Sequence, residues 1–325
     1  MKILVVGGAG YIGSHMVREL LANGYDPLVF DNLSTGHAWA VPAGRLLEGD
    51  LADRDALQKT FQDHQFDAVM HFASFIQVGE SVTAPLKYYD NNVSNTVNLL
   101  AAMEKAGVSR FVFSSTAAVY GTPDAFPILE NTQLKPENPY GRSKLMVEEI
   151  LADCESAWGL RSARLRYFNA AGAHPSHDIG EGHHPESHLI PIILQVALGQ
   201  REAITVNGDD YDTPDGTCIR DYIHVCDLAS AHTLALQALL QGKENMVYNL
   251  GNGKGYSIFE VLKVCREVTG HPIPVKIGPR RAGDPARLVA SAEKIMKELG
   301  WSPSFADLHT IVSTAWEWHK SRAAI

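Results

Sequence analysis

An apolar run of strand length that breaks at once into spaced glycines and then a helix is the strongest constraint in this chain. Lys2 to Gly13 reads KILVVGGAGYIG. Ile3, Leu4, Val5 and Val6 form an unbroken aliphatic run, as expected of a strand buried on both faces of a parallel sheet. Gly8, Gly10 and Gly13 satisfy G-x-G-x-x-G, and Gly7, Gly10 and Gly13 satisfy the G-x-x-G-x-x-G variant. A helix carrying Ile12, Met16, Leu20 and Leu21 should follow. Glycine permits the tight turn and lets main chain approach a ligand, while the helix start offers unpaired N–H groups and a positive dipole end. The fitting ligand is a pyrophosphate, held against Gly7, Gly10 and Gly13.

The next strand, Pro27 to Phe30, ends at Asp31, eighteen positions beyond Gly13. A carboxylate there accepts hydrogen bonds from adenosine ribose hydroxyls and repels a 2′-phosphate, so the expected cofactor is NAD rather than NADP. Further strands are expected at Arg45–Glu48, Ala68–Phe72, Arg110–Ser115 and Arg161–Tyr167, alternating with helical stretches. One long helix is expected over Pro85–Ala106, with Val93, Val97 and Leu100 on one face and Gly107 closing it. This rhythm predicts an α/β chain with a doubly wound, Rossmann-type parallel sheet. After Tyr167 the rhythm changes to turn-rich sequence, so residues 168–325 are expected to form mainly a smaller α/β substrate-binding lobe. Residues 1–167 form the expected NAD-binding domain, with a returning segment at about 225–250.

Composition narrows the function classes. At 325 residues, 45% hydrophobic and 20% charged, the chain suits an ordinary globular protein, and its net charge of −9 offers no electrostatic footprint for DNA or RNA. Met1-Lys2 leads straight into the first strand, leaving no room for a signal peptide, and no apolar run is long enough to span a bilayer. A cytoplasmic location without membrane attachment is the expectation. Cys154, Cys218, Cys226 and Cys265 are widely spaced and read as free thiols.

Ligands bind beyond the carboxyl ends of the strands in such sheets. After the fifth strand comes Thr116, and twenty-four positions later Tyr140-Gly-Arg-Ser-Lys144. Of eleven tyrosines only Tyr140 has Lys four positions on, and at a helix start the two share a face. A free phenol titrates near 10. Lys144 beside it, together with a positive nicotinamide, is expected to lower that pKa and make Tyr140 an acid/base for a substrate hydroxyl, with Thr116 holding the same oxygen.

These residues, with GGAGYIGSH, DNLS, YYDNNV, SSTAAVYG, NPYGRSKLMVE, LRYFN, GDDYDTPDGTCIRDYIHV and RRAGD in order, span nearly the whole chain. The sequence resembles the extended branch of the short-chain dehydrogenase/reductase superfamily, and within it the UDP-glucose (UDP-galactose) 4-epimerase family. The resemblance implies catalysis by Thr116, Tyr140 and Lys144. It implies NAD contacts from Tyr11, Ile12, Asp31, Asn32, Asp50, Leu51, Phe72, Ala73, Asn91, Lys144 and Phe168. By position it assigns the UDP-sugar to Thr116, Tyr140, Asn169, His188, Leu189, Thr205, Asn207, Arg220, Arg281 and Asp284. Two guanidinium groups suit a nucleotide diphosphate, and Asp284 a ribose hydroxyl; Arg220 could equally pair with Asp221.

The chemistry implied is inversion at C4 of a UDP-hexose through a 4-keto sugar, with a tightly held NAD regenerated in each turnover. Leu288 falls at the position that gates sugar size, where Tyr would narrow the pocket, so N-acetylated or pentose substrates are the alternative. A dehydratase would place Asp-Glu after the Thr; here stand Ala117 and Ala118, which move no proton. A non-catalytic NAD-binding regulator should have lost Tyr140 or Lys144. His174, His177, His183, His184 and His188 lack a settled ligand spacing, so a solvated loop without metal is expected. The resemblance also implies a homodimer through helices near 91–103 and 140–155, whose apolar faces could equally be core.

Overall fold

The computed structural model describes residues 1–281 and 285–323. The first strand, β1 (Lys2–Val6), shows why its sequence has no polar position. Ile3 and Val5 point into one apolar cluster, Leu4 and Val6 into another on the opposite face. A strand covered by helices on both sides needs an apolar residue at every step.

In chain order the first part runs α1 (Tyr11–Ala22), β2 (Asp26–Asp31), β3 (Leu46–Glu48), α2 (Arg54–Asp63), β4 (Ala68–His71), α3 (Val78–Thr83), α4 (Pro85–Tyr89), α5 (Asn95–Ala106), β5 (Arg110–Thr116), α6 (Pro139–Trp158) and β6 (Arg161–Tyr167). The second part runs β7 (Asn169–Ala171), α7 (Leu189–Ala197), β8 (Ile204–Asn207), β9 (Ile219–Arg220), β10 (Tyr222–His224), α8 (Val225–Leu240), β11 (Met246–Leu250), β12 (Tyr256–Ser257), α9 (Ile258–Thr269), β13 (Val275–Gly278), β14 (Arg287–Leu288), α10 (Glu293–Leu299) and α11 (Leu308–Ala323).

Seven strands form the central sheet in the order β11-β6-β5-β4-β1-β2-β3. Every neighbouring pair is parallel, and the order reverses between β1 and β4. A crevice opens at such a reversal, beyond the carboxyl ends of the strands. Met16, Val17 and Leu20 of α1 and Leu228, Leu236 and Leu239 of α8 cover one face. Leu57 and Phe61 of α2, Leu99 and Met103 of α5, and Val147 and Leu151 of α6 cover the other. Met246–Leu250, within the segment 225–250 expected to return to the first domain, pairs with β6 in the register Met246↔Ala163. A second core gathers Ile193 and Leu194 of α7, Val206 of β8, Val261 and Leu262 of α9, and Ile311 and Val312 of α11. Three small sheets, β10-β7, β12-β9-β14 and β13-β8, accompany it.

The long helix expected over Pro85–Ala106 is instead α4 and α5, separated by a π-type turn at Asp90–Ser94. A π turn is wider than an α turn and rotates every later position about the axis. Val97 is therefore 41% exposed, while Thr96, Leu99, Leu100 and Met103 are buried. Gly107 does close α5, in the left-handed conformation at φ +71°.

Candidate active site

At the reversal point the glycine turn meets the end of β4. A Cβ added to Gly7 would lie 2.4 Å from the Ala73 nitrogen, and its φ of +79° already favours glycine. One added to Gly13 would lie 2.1 Å from the Gly7 carbonyl oxygen, so the turn packs on its own helix. Gly10 differs: an added Cβ meets nothing nearer than that oxygen, at 3.4 Å. The protein does not itself need glycine at Gly10, whereas a dinucleotide lying against the turn does. Gly10 also caps α1, so the N–H groups of Tyr11, Ile12 and Gly13 have no partner within the helix.

The residues expected around the cofactor lie at neighbouring strand ends. Asp31, 9% exposed, accepts the Ala9 and Leu33 N–H groups, each at 2.9 Å. A carboxylate has about four acceptor positions, which leaves two for ribose hydroxyls. Asn32 donates to Asp50 at 2.7 Å, and Leu51 follows with its carbonyl bonded to Asn98. Phe72 and Ala73 extend β4; Phe168 extends β6 and packs against the small cluster of Ala117, Val119, Tyr120 and Ile128. Asn91 sits in the π-type turn, donating to Asn92 at 2.9 Å. The Tyr11 hydroxyl is committed to the Gly172 carbonyl at 2.6 Å, so main chain is what Tyr11 offers a ligand. These features fit NAD.

Thr116, Tyr140 and Lys144 meet one sheet position away from that crevice. Thr116 is the last residue of β5. Asn138 caps α6 by accepting the Gly141 N–H at 2.9 Å, Pro139 takes the first helical position, and Tyr140 is therefore in the first turn. Lys144, 2% exposed, donates to the Ser74 hydroxyl at 2.6 Å and the Ser114 carbonyl at 2.8 Å, with its ammonium 4.9 Å from the Phe113 ring centre. Burial pushes its pKa down to about 7, opposed by Glu148 one helical turn on. Burial also raises the Tyr140 pKa, with a hydrogen bond from Thr116 acting in the opposite direction. The expected lowering of the Tyr140 pKa by Lys144 is thus not met by the chain's own charges. The ammonium is held by Ser74 and Ser114, and desolvation of the phenolate outweighs what the protein supplies.

Apart from Thr116 and Tyr140, the residues assigned to the UDP-sugar lie on the second part of the chain. His188 caps α7, directly before Leu189. Asn169 opens β7 and donates to the Asp221 carbonyl at 2.9 Å. Thr205 and Asn207 belong to β8; with its amide oxygen toward Arg281, Asn207 accepts from Nε at 3.1 Å and Nη2 at 3.3 Å. Arg220 is buried on β9 and donates to the Ile219 carbonyl at 2.8 Å. The carboxylate of Asp221 accepts backbone N–H groups of Asn252, Gly253 and Ala290, and burial pushes its pKa up to about 6. Leu288 pairs in register with Arg220 and packs against the cluster of Ala117, Val119, Tyr120 and Ile128, part of which directly follows Thr116 in the chain. Asp284 lies outside the described residues.

The model of the NAD dependent epimerase/dehydratase family matches residues 3–251. The chain belongs to that family. Its relatives include the UDP-glucose 4-epimerase of Halalkalibacterium halodurans, 55% identical over 320 residues, 98% of this chain and 96% of the relative. The crystal structure of UDP-glucose 4-epimerase from Brucella ovis in complex with NAD superposes with a TM-score of 0.95 at 48% identity, covering 97% of each chain. That of the Bifidobacterium longum enzyme with NAD+ and UDP gives 0.94 at 42%, covering 99% of this chain and 98% of the other.

Beyond the residues expected from the sequence, this member of the family places Ser74 and the Ser114 carbonyl on Lys144. Nothing in their local sequence distinguishes them. Glu148 was within reach of sequence reasoning, four positions beyond Lys144 on the same helix face. It accepts from Ser115 at 2.5 Å and from Arg166 at 2.5 and 2.9 Å, tying α6 to β5 and β6. The stretch with five histidines is not the solvated loop expected: Ile179, Glu181 and Glu186 are buried, and Trp318 of α11 donates to the Glu181 carbonyl at 2.8 Å. Among the described residues no helix is long and apolar enough to cross a membrane.

Proposed function

We propose that this chain interconverts UDP-glucose and UDP-galactose by inverting C4, with Tyr140 as the acid/base. The observation that carries the reading is Thr116, at the end of β5, hydrogen-bonded to Tyr140, with Lys144 one helical turn on donating to the Ser114 carbonyl of the same strand, two strands from β1 and its glycine turn. NAD, when bound, takes the C4 hydride from the sugar and returns it. Thr116 and Tyr140 hold the 4-hydroxyl; Tyr140 removes its proton during oxidation and gives it back during reduction. Lys144, fixed by Ser74 and Ser114, contributes positive charge near the phenol. Ala117 and Ala118 can move no proton, so elimination from the 4-keto sugar has no acid or base there.

Residues 1–167, with 225–250, serve as the NAD-binding part, and residues 168–325 mainly as the UDP-sugar part. The keto sugar must present its opposite face before reduction, so binding belongs on the nucleotide. Arg220 and Arg281 are placed to hold its diphosphate, and Asn169, His188, Leu189, Thr205 and Asn207 complete the pocket. The observation favouring a wider substrate range is Leu288 packed against the cluster that includes Ala117 and Val119, just after Thr116, where a shorter side chain than Tyr leaves room for an N-acetyl group. A cytoplasmic homodimer is part of the same reading; the four free cysteines agree with a reducing compartment.

The test is incubation with UDP-galactose, UDP-N-acetylgalactosamine and a UDP-pentose without added NAD, with products resolved by chromatography. UDP-glucose should form from UDP-galactose using cofactor that has stayed with the protein through purification. Tyr140→Phe should lose roughly 10²–10⁴-fold in kcat. Near-normal turnover by that variant would sink the role given to Tyr140.

A further inference from the structure

We propose that Glu181, His183, Glu186 and His188 form a tetrahedral divalent-metal site, for zinc by its chemistry, that braces the junction between the glycine turn and the substrate-side chain. The four side chains, spaced E-x-H-x-x-E-x-H, each turn one donor atom toward a common centre, and those atoms all lie within 4.8 Å of one another. His183 Nδ1 is 3.1 Å from Glu181 Oε1 and 3.8 Å from Glu186 Oε1. His188 Nδ1 is 3.6 Å from the same Glu186 oxygen and also contacts Glu181 Oε1. Zinc–nitrogen and zinc–oxygen bonds of about 2.0–2.1 Å in a tetrahedron separate adjacent donors by roughly 3.3 Å, and the observed spacings bracket that edge.

Charge points the same way. The side chains of Glu181 and Glu186 are 3% and 2% exposed. Among the described residues their ion pairs run only to these two histidines. Two buried carboxylates need compensation. Protons alone would supply it as two imidazolium rings whose centres are 5.2 Å apart, like charges held against each other beside the two buried carboxylates. One divalent cation supplies the same charge with both imidazoles neutral, and mixed imidazole and carboxylate ligands suit zinc. A second layer holds the ligands: the Ser187 and His188 N–H groups donate to Glu186 at 2.8 and 2.9 Å, and the Trp318 indole fixes the Glu181 main chain.

Four protein ligands leave no open position, so the role is structural. The loop they would lock already meets both sides of the molecule. His37 bonds to the Gly182 carbonyl at 2.8 Å, the Tyr11 ring lies 6.3 Å from that of His183, and His188 begins α7. With Nδ1 on the metal, Nε2 is the only ring nitrogen that His188 has left for a substrate.

The test uses the untagged full chain, equilibrated with zinc and then freed of loose metal by gel filtration. Elemental analysis should find about one zinc per chain, cobalt substitution should give the visible absorption of a tetrahedral site, and a strong chelator should lower Tm by several degrees. His183→Ala and Glu186→Gln should each lose the metal, while His184→Ala, an exposed neighbour outside the cluster, should keep it. A wild-type chain that retains no metal and shows no Tm response to zinc would overturn the proposal, as would unchanged binding by His183→Ala. None of these readouts depends on epimerase turnover.

Discussion

At residue scale, burial disfavours the charged forms of both Tyr140 and Lys144. The Lys144 pKa falls from 10.5 to about 7 because the side chain is almost wholly buried. Between those values the unfolded chain binds a proton that the folded chain does not, so this group makes stability rise with pH across that window. Lys144→Met lacks the term. Its Tm relative to wild type should therefore be highest near pH 7 and decline toward pH 10, measured by calorimetry at both values. A gap independent of pH would mean that the folded lysine titrates normally. The motif made Tyr140 and Lys144 visible in sequence, because a helix puts positions four apart on one face whatever surrounds it. The pKa direction was not visible, because it depends on burial and on Ser74 and Ser114, brought in by other strands.

At element scale, α6 is the part that must not shift. Tyr140, Lys144 and Glu148 follow one another at single-turn spacing, and the last pairs with Arg166 where both side chains are 5% exposed. Removing one partner of a buried pair leaves an uncompensated charge and costs about 3–5 kcal/mol. Arg166→Met should lose that much in urea unfolding, and adding Glu148→Leu should recover much of it. The solvent-screened Lys87–Glu80 pair, in contrast, should contribute little. Helices with strong local signals, such as α8 over Val225–Leu240, agree with the sequence reading. The Pro85–Ala106 stretch does not, because the π-type turn at Asp90–Ser94 is a backbone choice with no marked residue type, and it turns Val97 outward.

At the scale of the whole molecule, the two helices proposed to pair, and α4 just before them, each carry an outward apolar residue. Leu86 is 80% exposed, Val97 41% and Met146 40%, on α4, α5 and α6. If these helices meet a second copy, Val97→Asp with Met146→Asp should shift the protein from dimer to monomer in sedimentation velocity; an unchanged dimer would place the interface elsewhere. The sequence alone determined the nucleotide turn, the strand alternation and the pairing of Tyr140 with Lys144, because each arises among residues a few positions apart. Only the tertiary structure decided that Gly7 abuts Ala73, that Lys144 is held by Ser74, and that two glutamates and two histidines converge beside Tyr11. Those contacts join distant or turn-linked segments, and the free energy that fixes them comes from packing around the sheet, which no local pattern encodes.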